Sequence, residues 1–137
     1  MAKVAEGESD VLYVGDTLTI RAMRLPNGSC PAKAWADGLK KKGQGQLLAA
    51  ARIIENSLLY GRPPAGRMSK LLESQFDLWE VRVTTTGSTA PHLRLLVRRE
   101  GNTLWAAHGF TKQSNELRQS DIAAGDSVTE AWLEEKG

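Results

Sequence analysis

Four cationic side chains stand where β-strands would aim them at a surface. They are Arg82 in LWEVRV, Arg94 and Arg98 in HLRLLVRR, and Lys112 at the end of LWAAHGFTK. Pleating alternates side chains between two faces, so Arg82 and Arg94 lie opposite the apolar residues of their strands. If those strands are neighbours, both guanidinium groups share one sheet face, with Arg98 on the same side. Arg67 and Lys70 precede the first of these strands. A face carrying several such groups suits phosphate. The alternative is plainer: Arg82 pairs with a local acid and Arg94 is an exposed side chain. His108, Phe110 and Lys112 close the last strand, which makes that stretch either an ordinary strand exit or one wall of an active site.

Other chemistries have little to work with. The chain holds two histidines, His92 and His108, one cysteine, and no clustered carboxylates. A zinc or two-metal centre and a glycosidase carboxylate pair are therefore not expected. The glycines form neither a phosphate-binding loop nor a dinucleotide fingerprint. Cys30 stands at an expected helix start, which can lower a thiol pKa, but no partnered histidine is evident and it reads as structural. No cofactor is expected.

These residues need elements to hold them. Residues 17–25, TLTIRAMRL, alternate as a half-buried strand, and PNGS is a turn. Ser29 is positioned to cap a first helix with Pro31 in its first turn, ending at Lys40-Lys41-Lys42-Gly43. A second helix begins near Gln44, with Leu47, Ala51, Ile54 and Leu58 on one face, and stops at Gly61 before Pro63-Pro64. Residues 67–74 read as a single helical turn, 78–84 as a strand, and 85–91 as a flexible loop. Strands 92–99 and 104–110 form a hairpin about Glu100-Gly101-Asn102. A final helix starts at Ser120 or Ser127, the latter with capping-box spacing to Glu130, and packs at one end. The expected class is α+β, in the order β-α-α-β-β-β-α: an N-terminal strand, a helical hairpin, an antiparallel three-stranded C-terminal sheet portion and a final helix. Residues 1–16 form a polar lead-in, in which Val11-Leu12-Tyr13-Val14 is a candidate edge strand.

Bulk properties agree with one such domain over residues 17–137. The 137 residues suit a single core, and 41% apolar with 25% charged is an ordinary soluble balance. Neither a spanning apolar run nor a secretory leader is visible, and the lone cysteine suits a reducing cytoplasm. Net charge is only +2, but the middle of the chain is basic and both ends are acidic. That distribution fits a polyanion-binding surface, or simply a solvated one.

The motifs in series resemble the RelE/HigB toxin superfamily, in its phage-derived HigB-like branch. They are GSCPAKAWADGLKKK at 28–42, YGRPPAGRMSKLLES at 60–74, LWEVR at 78–82, HLR at 92–94 and AAHGFTKQ at 106–113. The resemblance runs from about residue 17 to the C-terminus. It implies a RelE-like fold and a type II toxin that cleaves translated mRNA on the ribosome, by attack of the ribose 2′-hydroxyl and without a metal. It also implies a cognate antitoxin, usually a small helix-turn-helix protein, and no membrane partner.

Such a reaction needs a proton acceptor, cations for the phosphorane and a proton donor for the leaving oxygen. On the resemblance, Arg82 and Arg94 form the phosphate clamp, Lys112 matches the first lysine of the family's paired lysines, and His108 is the candidate for proton transfer. Arg67, Lys70, His92 and Arg98 are candidate RNA contacts, His92 by stacking; Phe110 is assigned to the core. The chain departs from the pattern at Gln113, which replaces the second lysine, and at Leu78 and Glu80, where RelE carries lysines. The alternatives are a ParE-like inhibitor of DNA gyrase and a catalytically silent RNA- or protein-binding module of a phage or mobile element.

Overall fold

A computed structural model of the chain describes residues 10–64, 66–84, 92–112 and 119–136. It is a mixed α+β structure. The elements are β1 (Val11–Val14), β2 (Thr19–Ala22), α1 (Pro31–Asp37), α2 (Lys41–Leu59), β3 (Met68–Lys70), β4 (Leu78–Arg82), β5 (His92–Glu100), β6 (Thr103–Lys112) and α3 (Gln119–Lys136). Six strands form one sheet in the order β1-β2-β6-β5-β4-β3. All pairs are antiparallel except β2 with β6.

The β5–β6 hairpin forms as expected, closing at Gly101, whose φ of 60° suits a residue without a Cβ. Residues 11–14 realise the edge strand. Residues 67–74 do not form a helical turn. Met68 is buried while Lys70 is exposed, and the backbone pairs with β4 instead, giving the sheet its far edge.

The two faces carry separate cores. Trp79, Val81, Leu93, Leu95, Val97, Leu104 and Ala106 face the helical hairpin, meeting Ala32 and Ala36 of α1 and Leu47, Ala51 and Ile54 of α2. The break between these helices comes at Gly38, earlier than the lysine run suggests. The Gly38 amide donates to Ala34 and Trp35 carbonyls, Leu39 donates to Ala36, and α2 starts at Lys41. Ser29 does not cap α1: its hydroxyl bonds to Asn27 Oδ1, and the helix starts on Pro31. Glu55 of α2 ties the hairpin to the sheet edge, accepting from Tyr13 Oη at 2.6 Å and from the Thr17 and Leu18 amides.

The final helix begins beside Ser120, the earlier of its two expected starts, and covers the second face rather than one end. Ser127 lies inside α3, so its capping box is not used. Ile122 and Trp132 join Met23, Leu71, Leu78, Leu96, Ala107 and Phe110 in the second core. Gly125 permits the approach, since a Cβ there would come within 2.9 Å of Leu96 Cδ1. Both faces are therefore covered. Among the described residues, no helix is long and apolar enough to cross a membrane.

Candidate functional site

The cations collect at one end of the sheet, where β4 ends, β5 begins and β6 ends. Arg82 pairs directly with Arg94 across β4 and β5. Arg94 lies opposite Phe110, and His92 lies opposite Lys112, across β5 and β6. A bulge is needed for this. Val97 pairs with Ala106 but Leu96 pairs with His108, so Ala107 is an extra residue in β6. Ala106 belongs to the hairpin-side core, whereas Ala107 and everything paired with Leu96 and Arg94 face α3. If Ala107 took its place in a regular strand without the bulge, strict alternation from Trp105 would turn Lys112 under the helical hairpin.

Glu80 stands at the centre of the cluster. Its Oε2 is 3.7 Å from Arg94 Nε and 3.6 Å from Lys112 Nζ, and its Oε1 is 3.7 Å from Arg82 Nη2. These separations give strong Coulombic attraction but are too long for hydrogen bonds. Accordingly, Glu80 Oε2 and Arg94 Nε are buried polar atoms without a hydrogen-bond partner among the described residues. Only 2% of the Arg94 side chain, 5% of Lys112 and 7% of Glu80 is exposed, while Arg82 keeps 29%. Arg94 is further held by its Nη1, which donates to the carbonyls of Thr84 and Leu93 at 3.0 Å. Burial pulls the Lys112 ammonium below the usual lysine pKa; Glu80 opposes this and Arg94 adds to it. Burial also lowers Arg94, against the opposing pull of Glu80.

The other candidates divide by place. Arg67 borders the cluster, its Nη1 donating to the carbonyls of Arg82 and Val83 at 3.2 Å. His92 flanks Lys112, half-buried, its buried Nδ1 without a hydrogen-bond partner among the described residues. His108 is not brought to the cations. Its Nε2 is 2.9 Å from Asp121 Oδ1 in the first turn of α3, and its ring stacks on Phe110 at 5.4 Å. In the cross-strand row Glu80–Leu96–His108 it lies roughly 10 Å from Glu80, two strand spacings away. Arg98 is about 13 Å along β5 from Arg94 and is held by the Phe76 carbonyl at 2.8 Å and by Glu100. Lys70 pairs with Asp77 at 3.7 Å, both exposed, on the sheet edge.

Sequence reasoning missed Glu80. It treated the residue as a departure, although Glu80 and Arg82 share a face two positions apart. A carboxylate beside a candidate clamp arginine was the available signal. Phe110 is core, as assigned. Burial raises the Cys30 thiol pKa, which disfavours its nucleophilic form. The loop expected over 85–91 and the departure at Gln113 lie outside the described residues. Among the described residues, no group of three or more histidine, cysteine, aspartate or glutamate side chains is placed to hold a metal ion. No protein-family model matches the chain, and no curated protein is significantly similar to it in sequence.

Proposed function

We propose that this chain is an mRNA interferase of the RelE/HigB kind, a type II toxin that cuts translated mRNA on the ribosome, working with an antitoxin partner. The single observation that carries the reading is the convergence of Arg82, Arg94 and Lys112 on one carboxylate at an end of the sheet. A scissile phosphate requires cations on its non-bridging oxygens and proton-transfer groups beside them. The cluster supplies both kinds of group. Arg82 and Arg94 bind the phosphate. Glu80 takes the proton from the 2′-hydroxyl as the O2′–P bond forms. Lys112 gives a proton to O5′ as the P–O5′ bond breaks, and its lowered pKa makes it a stronger acid than an ordinary lysine. The products are a 2′,3′-cyclic phosphate and a 5′-hydroxyl. His108 is reassigned from proton transfer to holding α3, because its ring nitrogen is engaged by Asp121.

One observation favours a second reading. Arg94 and Lys112 are almost wholly buried, so a phosphate reaches them only after they are uncovered. A catalytically silent binding module, with the cluster serving the fold, keeps them covered.

Induction in a bacterium separates the two readings. The wild-type chain is expected to arrest growth and create new mRNA 5′ ends within translated regions. Arg94→Lys keeps a charge in the cluster but loses the two-pronged phosphate grip, and is expected to abolish both effects. Arrest with intact mRNA and damaged DNA would favour gyrase as the target, and no arrest would favour the silent module.

A further inference from the structure

The same end of the sheet carries a second basic feature on its opposite face. Leu93 and Thr111 are cross-strand partners that point away from the Arg94 and Lys112 side. Together with Gly38, Leu39, Lys40 and Lys42 they line an open groove of about 380 Å³. That volume falls within the range of small-ligand sites. The floor is aliphatic, from Leu39 and Leu93, and the rim is cationic.

The lysines are not explained by the helix they begin. No acidic residue occurs between positions 38 and 54, and α2 has no acid in its first turn. Among the described residues, none of Lys40, Lys41 and Lys42 has an ion-pair partner, and all three are exposed. Three cations at a helix N-terminus repel one another and oppose the helix dipole. The arrangement therefore costs the fold stability, and a polyanion would offset that cost. The groove lies on the opposite face of β5 and β6 from the phosphate cluster, at the same end of the sheet.

We infer that the groove between the start of α2 and the β5–β6 end is a second contact for single-stranded RNA, holding a nucleotide that flanks the scissile phosphate. Lys40 and Lys42 take backbone phosphates, and a base lies on Leu39 and Leu93. This rests on the RNA-cutting reading above, and the test separates the two. The probe is a short, labelled, fully 2′-O-methylated single-stranded RNA, which binds but cannot be cut. Binding to the purified chain is measured against salt, with folding of each variant checked by circular dichroism.

Replacing both lysines, K40A/K42A, is expected to weaken binding several-fold and to reduce the slope of log affinity against log salt by about 1.4, at roughly 0.7 per phosphate contact on a single strand. Leu39→Ser is expected to weaken binding with the slope unchanged. Lys41→Ala, which alters charge outside the groove lining, is expected to do less than either Lys40→Ala or Lys42→Ala. Unchanged affinity in K40A/K42A would overturn the inference. So would an equal loss from Lys41→Ala, or tighter binding of polyglutamate than of RNA. Groove-dependent binding by a chain that cuts no RNA would reject the catalytic reading and keep the groove; cutting with groove-independent binding would do the reverse.

Discussion

At the scale of the residue, the proposed chemistry turns on what burial does to Lys112. A lysine donates a proton only while it is protonated. Because burial lowers its pKa, the protonated form is lost at a lower pH than for an ordinary lysine near 10.4. The rate of RNA cleavage is therefore predicted to fall on the alkaline side at a pH below that value. In Lys112→Arg the guanidinium stays charged, so the alkaline limb attributable to this residue should vanish along with most of the rate, as a pH–rate profile would reveal. An unchanged limb would assign the titration elsewhere. Part of this site was legible in the chain. The pleat alone placed Arg82 and Arg94 on one face, and the register pairs them directly. Two things were not legible. The extra residue at Ala107 leaves no periodicity signal within the short run from Trp105 to Phe110, yet it decides which face Lys112 occupies. Glu80 becomes central only when three strands are side by side, and its neighbours are 2, 14 and 32 positions away in sequence.

At the scale of the element, packing of α1 on β6 governs whether the cluster's strand stays in place. Gly109 faces the hairpin side, opposite Leu95, and a Cβ there would run into the Trp35 indole of α1. Gly109→Ala is thus predicted to destabilise the fold by about 1–3 kcal/mol, the range for overpacking a tight core contact. Urea unfolding measures it directly, and a change well below 1 kcal/mol would mean that the indole yields easily. The hydrophobic patterns made most of the elements readable: both strands of the C-terminal hairpin, β4 and α2 lie where alternation or helical spacing put them. The short elements were harder. Three residues of β3 carry too little pattern to tell a strand from a helical turn, and pairing with β4 decides the outcome. The break before α2 was misplaced because lysines form helices readily, so a lysine run is a poor stop signal.

At the scale of the whole molecule, helices pack on both sheet faces, and the proposed function puts its RNA at the ends of the strands. The cation cluster and the lysine-rimmed groove lie on opposite faces of the same end. This concentrates positive charge locally in a chain whose net charge is only +2. Such a field draws in a polyanion, with an effect that fades as salt rises. The cost is a buried cluster of like charges around one carboxylate, which burial alone does not stabilise. The most direct test of the central claim is translation of a defined mRNA with purified ribosomes and the purified chain, followed by chemical analysis of the RNA ends. Fragments ending in a 2′,3′-cyclic phosphate are expected, absent with Arg94→Lys and absent when the nucleotide before the cut lacks its 2′-hydroxyl. Intact mRNA from a folded wild-type chain, or equal cutting by the Arg94→Lys chain, would contradict it.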